Sequence, residues 1–208
     1  SLIAPELSVT SSHLFRNGVK DMTYQQEPQS ILWIVGTDGT LSGTTLDRHE
    51  KVVGFHRQEF TNASVKSGAT IPNSPAGLDM PWFLVERTIE GATVYYMETL
   101  EAAFDGADRA DAFIVDCGGT YSGGATNIVT GVDWLIGQEV AILADGNVVP
   151  NQTVSALARI TLPGSLTAAK IQFGIPITAR AKTLRAPVPG PSGPMLGRKR
   201  RIPYAVFD

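Results

Sequence analysis

The chain has 208 residues, a formal net charge of -3 and a sequence pI near 5.6, and 18% of its residues are charged. This length suffices for two small domains, while the weak net charge creates no global field that would recruit nucleic acid or an acidic membrane surface. The single cysteine, Cys117, excludes an intrachain disulfide framework and any metal motif built from paired cysteines.

The sequence contains no signal-peptide pattern and no apolar run of about 18 residues, so we expect a soluble protein without a membrane anchor. It begins with Ser1, and the strand-like RIPYAVFD ends at Asp208 without a turn. We therefore expect the chain to be part of a longer protein.

Twenty-one glycines and 13 prolines are spread along the chain between short apolar runs, which predicts an all-β fold with many turns. The first such runs predict a four-stranded antiparallel meander, with strands at 19–26, 30–37, 40–47 and 52–60. The dipeptide Asp38-Gly39 lies between the second and third runs. It predicts a two-residue hairpin turn, because both central residues of that turn need positive φ.

The same order of strands restarts at 63–72, 80–89 and 92–100, with a second turn dipeptide at Glu90-Gly91. WFLVERT matches ILWIVGT at an offset of about fifty residues, which is typical of consecutive β-propeller blades. Two meanders facing each other as a β-sandwich remain an alternative. The spacing of Met97, Leu100 and Phe104 predicts one or two turns of helix within Met97–Arg109.

The pattern predicts four regions along the chain. Residues 1–104 form a β-meander region that resembles two propeller blades, and residues 105–112 form a polar linker. Five or six short strands, with a turn at Asp145-Gly146, predict a small β-barrel or sandwich domain over 113–186. Residues 187–208 form a linker rich in proline and glycine, followed by a truncated strand.

Polar clusters in the sequence do not fit known catalytic or metal motifs. The run Asp47 to Glu50 has the residue types of an acid/base cluster, but neighbouring residues on a turn point apart. No two of the histidines have the spacing of metal ligands, and the aspartates at three-residue spacing do not fit a calcium loop. The residues considered for these roles are Asp47, Arg48, His49 and Glu50, the histidines His13, His49 and His56, and the aspartates Asp105, Asp108, Asp111 and Asp116.

The remaining candidates also favour structural roles. Ser42 and Ser122 lack the G-x-S-x-G elbow of a hydrolase nucleophile, and GGTYSGG ends without the Lys of a phosphate-binding loop. Glu98 and Asp116 are one pair of acids that folding could bring together for glycoside hydrolysis. The basic run GRKRR at 197–201 is typical of a solvated link, with phosphate contact as the alternative. We therefore predict no catalytic, cofactor-binding or metal-binding residue, and no enzymatic activity.

The order of several strand and turn motifs along residues 13–202 resembles the C-terminal half of a family of bacteriophage tail proteins, the nozzle or tail tubular B-type proteins of short-tailed phages. The motifs are VKDMTYQQEPQSILWIVGTDGTLSGTTLDRHEKVVGFHRQEF, WFLVERTIEGATVYYMETLE, TYSGG, GVDWLIGQEVAILADGNVVPNQTV and GRKRRI. The upstream half of the family pattern is absent from this chain.

This resemblance implies a non-catalytic virion structural protein of a phage or prophage, with a β-propeller-like body and added β domains. The full-length protein is then expected to form a homo-oligomeric ring around the channel through which DNA leaves, in contact with other tail proteins and without sequence-specific DNA binding. Its expected location is the phage tail in the virion, after synthesis in the bacterial cytoplasm.

A glycan-binding or carbohydrate-active protein is the alternative function. It is suggested by the acids and by aromatic residues that sugars commonly stack on. These aromatic residues are Trp33, Trp82, Tyr95, Tyr96 and Trp134. Aromatic rings and two carboxylates converging in one groove would favour this alternative, whereas buried rings and scattered acids would oppose it.

Overall fold

The computed structural model describes residues 6–9, 11–47, 52–73, 77–101, 104, 106–178, 189–190 and 193–194. Two compact units divide the chain, Ser1–Ile177 and Thr178–Asp208. In the second unit, the described residues form one short antiparallel pair, β14 (Pro189–Gly190) and β15 (Gly193–Pro194).

The first unit begins with two antiparallel meanders. The first sheet contains β1 (Val19–Gln25), β2 (Ile31–Gly36), β3 (Leu41–Asp47) and β4 (Val52–Gln58), in that order. The second sheet contains β5 (Ala63–Asn73), β6 (Leu78–Ile89) and β7 (Ala92–Thr99), also in chain order. These are the strands that alternation predicted, each within a few residues of its expected bounds.

Four more strands form the third sheet, in the order β11 (Asn147–Thr153), β10 (Glu139–Ala144), β13 (Ala168–Ile175) and β8 (Asp116–Thr126). A two-stranded sheet of β9 (Ile128–Thr130) and β12 (Arg159–Thr161) accompanies it. Both contribute to one apolar core. The all-β antiparallel class is confirmed, but no sheet in the described part of the chain closes into a barrel, so the small barrel expected over 113–186 is an open arrangement.

The first two sheets pack face to face. Trp33 of β2 meets Phe83 of β6 edge to face, with ring centroids 6.1 Å apart, and Val35, Val65 and Val85 complete the same buried cluster. Alternation explains this, because the buried residues Ile31, Trp33 and Val35 of β2 and Phe83 and Val85 of β6 are all odd-numbered and lie on one face of their strands. Burying such side chains stabilises the stack by about 1.5–3 kcal/mol each.

Hydrogen bonds tie the two ends of the first sheet to the second sheet. The Val65 amide donates to the Gly39 carbonyl over 2.8 Å. At the opposite end, the Asp79 carboxylate accepts from the amides of Gln26 and Glu27 at 2.7 and 3.1 Å. The relative position of these two sheets is therefore fixed at both ends of the strands as well as through the core.

Helix is limited to three short 3-10 segments among the described residues, Ser12–Phe15, Arg109–Asp111 and Asp133–Leu135. The helix expected within Met97–Arg109 was wrong where the structure describes it, because Met97 belongs to β7 and pairs with Leu84. In the described residues, none of these segments has the length or the apolar character needed to cross a membrane.

Candidate functional site at the junction of the sheets

Arg87 is the most buried charged residue in the described part of the chain. It lies on β6 in the inward register of Phe83, Val85 and Ile89, and its side chain is 0% exposed. A guanidinium in this position is costly unless every charge and donor is matched. The contacts around Arg87 therefore decide whether this part of the fold is stable.

Five hydrogen bonds satisfy the guanidinium. Glu98 of β7 accepts from Nε at 2.5 Å and from Nη2 at 2.7 Å. Asp116 of β8 accepts from Nη1 at 3.0 Å and from Nη2 at 2.6 Å, and the Thr61 carbonyl accepts from Nη1 at 3.2 Å. Arginine has five N–H donors, so none remains for another ligand.

The Arg87 cluster joins the second sheet to the third. Asp116, whose side chain is 6% exposed, also accepts from the Thr61 amide at 3.1 Å. Burial acts to lower the pKa of Arg87, but the hydrogen bonds to Glu98 and Asp116 and the charge of Asp116 outweigh it, so the pKa is raised above its ordinary value. Arg87 thus stays charged although its side chain is buried.

A β-bulge brings Asp116 to this position. The pairing of β8 with β13 shifts between Phe173 and Ile175, and Cys117 adopts a φ of 49°. A positive φ is unusual for a residue other than glycine, and bulges commonly redirect a side chain. Burial raises the pKa of the Cys117 thiol to about 12, and the neighbouring Glu98 carboxylate adds to the shift.

A cleft of about 650 Å³ opens beside this cluster, where the ends of β4 and β7 meet β8. We call it the junction cleft. Its lining residues are Gln58, Glu59, Phe60, Trp82, Phe83, Val85, Tyr96, Met97, Glu98, Thr99, Leu100, Glu101, Phe113, Val115, Asp116, Cys117, Gly118 and Trp134. Its walls therefore combine aromatic rings with four carboxylates.

Two of the aromatic residues are held in place by hydrogen bonds. The Tyr96 hydroxyl donates to the Trp134 carbonyl at 3.2 Å, and the Trp134 Nε1 donates to the Cys117 carbonyl at 3.2 Å. Trp134 also contacts Phe173, with ring centroids 6.3 Å apart. This side of the junction cleft is therefore preformed.

A second cleft of about 460 Å³ lies between the first two sheets. Trp33 and His56 contact each other there, with ring centroids 5.4 Å apart. Burial lowers the pKa of His56, so the imidazole is neutral at pH 7. The structure therefore gives His56 a packing contact with Trp33.

The other sequence candidates are dispersed. His13 lies in the first 3-10 segment, Ser42 is buried in β3, and Ser122 is exposed on β8. Asp47 ends β3. Arg48, His49, Glu50, Asp105 and the basic run 197–201 lie outside the described residues.

The expected linker residues pack on the third sheet. Asp108 caps the short 3-10 segment by accepting from the Ala110 amide, and Asp111 pairs with Lys170 of β13. The Gln172 side chain donates to the Ala110 carbonyl at 2.9 Å. Within the described residues, no group of three or more His, Cys, Asp or Glu side chains could hold a metal ion.

Glu98 and Asp116, paired in the sequence analysis as possible hydrolytic acids, do converge, but on one guanidinium. Arg87 itself was missed, although its register offered a signal. An arginine in phase with Phe83, Val85 and Ile89 must enter the core, and a buried arginine requires carboxylate partners.

Both outer faces of the first two sheets expose apolar side chains. On the first sheet, Met22, Tyr24 and Val53 are 58%, 48% and 46% exposed. They share the register of Leu32 and Leu46, which face away from the core. This outer face is partly covered where Phe15 contacts Phe55, with ring centroids 5.8 Å apart.

The outer face of the second sheet also exposes apolar side chains, beside the ion pair of Lys66 with Glu86. Ile71, Tyr95 and Met97 are 54%, 58% and 63% exposed, and they pair with residues of β6 whose side chains point away from the core. The two-sheet stack thus exposes apolar side chains on both of its outer faces.

Comparison with models of known protein families gives no match to this chain. Comparison with curated proteins likewise gives no match.

Proposed function

We propose that the chain is a structural component of a phage or prophage tail, a nozzle or tube protein whose full-length form assembles as a ring around the DNA exit channel. The ordered strand and turn motifs over residues 13–202 support this proposal, as does the all-β fold of two consecutive meanders. In such a protein the function is mechanical, and weak contacts repeated around a closed ring add to a stable assembly.

The observation that carries the proposal is the pair of apolar outer faces. Met22 and Tyr24 on one side, and Tyr95 and Met97 on the other, expose apolar surface on both outer faces of the two-sheet stack. Exposed apolar patches commonly mark interaction surfaces. A neighbouring blade or subunit on each side would bury these residues and continue the stack, as expected of a segment of a propeller or ring.

The ion pairs at the junction of the sheets are consistent with a protein that transmits force. Arg87 links β6, β7 and β8 through ion pairs that are nearly closed to solvent. Breaking such a pair leaves a buried charge without compensation. The second and third sheets are therefore expected to move together when force or pressure acts on the tail.

Electron microscopy of the full-length protein tests the proposal. Rings are expected, together with co-purification of the protein with virions. Met97→Asp should disrupt assembly, because it places a charge on the outer face of the second sheet, whereas Val148→Asp at an 88% exposed site on β11 should not. Full-length protein that stays monomeric and never accompanies virions would contradict the proposal.

Glycan binding is a second candidate, favoured by the convergence of Tyr96 and Trp134 with carboxylates in the junction cleft. Glu98 and Asp116 are both engaged by the Arg87 guanidinium, which leaves neither acid free to act on a glycosidic bond, so binding fits better than hydrolysis. Titration with neutral oligosaccharides, followed by tryptophan fluorescence, tests this function. Saturable binding that is lost in Tyr96→Ala would support it, and an unchanged signal would exclude it.

A further inference from the structure

We propose that the junction cleft binds an organic cation, an alkylguanidinium or alkylammonium group carried by a small molecule or by a basic side chain of a partner. The inference does not depend on the tail function. It follows from the size of the cleft, from the saturated guanidinium beside it and from the chemistry of its walls.

The cleft has the dimensions of a ligand site. Its volume of about 650 Å³ lies within the range of about 300–1,000 Å³ that is typical of small-molecule sites. Tyr96 and Trp134 are fixed by hydrogen bonds, so this part of the wall needs no rearrangement before a ligand enters. The walls also contain Phe60 and Phe113.

Anionic ligands are disfavoured because Arg87 has no N–H donor left to bind them. Each of its five N–H groups already donates to Glu98, Asp116 or Thr61. No lysine, arginine or histidine occurs among the described residues that line the cleft. A phosphate or carboxylate entering here would meet negative charge without a free cationic donor.

A cation, in contrast, would meet an excess of negative charge in the junction cleft. Four carboxylates line the cleft, those of Glu59, Glu98, Glu101 and Asp116, and Arg87 supplies a single balancing charge. Glu59 and Glu101 are exposed, whereas the Glu98 side chain is only 18% exposed. The cleft thus combines negative charge with the rings of Tyr96 and Trp134, and aromatic faces attract guanidinium and ammonium groups.

The test compares butylguanidine with butylurea, a neutral molecule of the same shape, by titration of the intact chain and tryptophan fluorescence. Butylguanidine is expected to bind saturably, more weakly as salt is raised, and butylurea is expected to bind at least about tenfold more weakly. Equal binding of the two molecules, or no binding of butylguanidine at millimolar concentration, would overturn the proposal.

Variants that remove the charges of the exposed acids of the cleft provide a second test, with a variant outside the cleft as control. Glu59→Gln/Glu101→Gln should weaken butylguanidine binding by about three- to tenfold, and Glu6→Gln, an exposed acid outside the cleft, should leave it unchanged. Equal losses in the two variants would also overturn the proposal. A capped Gly-Arg-Gly peptide binding more tightly than butylguanidine assigns the site to a partner side chain, whereas tighter butylguanidine binding assigns it to a small molecule.

Discussion

Replacing Arg87 with methionine is expected to cost about 3–5 kcal/mol of unfolding free energy. Methionine fills a similar space, but it leaves Asp116, with a side chain only 6% exposed, and Glu98, with a side chain 18% exposed, without their common partner. Domains of this kind are typically stable by about 5–15 kcal/mol. One substitution would therefore remove a large part of the stability.

Urea unfolding followed by tryptophan fluorescence measures this loss, since Trp33 lies in the core of the first two sheets and Trp134 lies beside the third. Lys66→Met is the matched control. Lys66 pairs with Glu86 at 2.9 Å, but the two side chains are 31% and 29% exposed, so its loss should cost at most about 1 kcal/mol.

A triple variant distinguishes the charge effect from lost packing. Arg87→Met/Glu98→Gln/Asp116→Asn removes the two orphaned charges and keeps an acceptor for the Thr61 amide. It should be more stable than Arg87→Met alone. The reasoning is refuted if Arg87→Met costs no more than Lys66→Met, or if the triple variant is the least stable of the three.

Three further predictions concern single positions. Gly39→Ala should lower the free energy of unfolding by about 2 kcal/mol or more, because Gly39 has a φ of 81° and an added Cβ would collide with the Ser64 hydroxyl. Gly91 has a similar φ of 79° but open space around it, so Gly91→Ala should cost only about 1–2 kcal/mol in the same urea assay. Burial raises the pKa of the Cys117 thiol to about 12. Cys117 should therefore react with iodoacetamide at pH 8 at least about a hundredfold more slowly in the folded protein than in urea. Comparable rates in the two states would contradict this prediction. Hydrogen bonds, first from the Asn17 side chain, lower the pKa of Asp38 from 3.8 to about 2, so its contribution is present above pH 3.8 and is lost as pH falls toward 2. After discounting for exposure it is at most about 1 kcal/mol, and the stability gap to Asp38→Asn should close over that range.

The strands could be predicted because alternation and turn chemistry act locally. Glu90-Gly91 and Asp145-Gly146 form the expected two-residue turns, with positive φ at both positions of each. Asp38-Gly39 does not, because only Gly39 has positive φ, and the loop closes from Gly36 to Thr40. The Asp38 carboxylate accepts from the Thr40 amide and hydroxyl, and this side-chain bonding competes with the two-residue turn.

The helix within Met97–Arg109 was predicted from a three-to-four spacing that also fits a strand followed by a loop. Pairing of β7 with β6 decided between the two, and such long-range pairing is not visible in a local window. The choice between a small barrel and a sandwich was left open for a similar reason, since strand lengths alone do not determine whether the edges of a sheet meet. The boundaries at 104, 112 and 186 stay predictions.

Only part of the candidate site could be predicted from the sequence. Glu98 and Asp116 were considered as a pair. The position of Asp116 beside Glu98, however, depends on the bulge at Cys117, which no local sequence pattern indicates. Pairing of acids across 18 positions of the chain depends on how β7 and β8 approach each other. Arg87 could have been found from register alone, because the inward phase of β6 leaves its side chain no route to solvent.

The pairing of one guanidinium with two acids at Arg87 has one consequence inside the fold and another in the junction cleft. Inside the fold, its five donors and two acidic partners join three strands from two sheets. Outside it, the same acids exceed the charge that one guanidinium can balance, and with Glu59 and Glu101 they leave the junction cleft negative. Because replacing a buried ion pair with apolar residues is often neutral for stability, the excess of acid over base is of interest mainly for the charge that it leaves in the cleft, and the proposed binding of an organic cation depends on that charge.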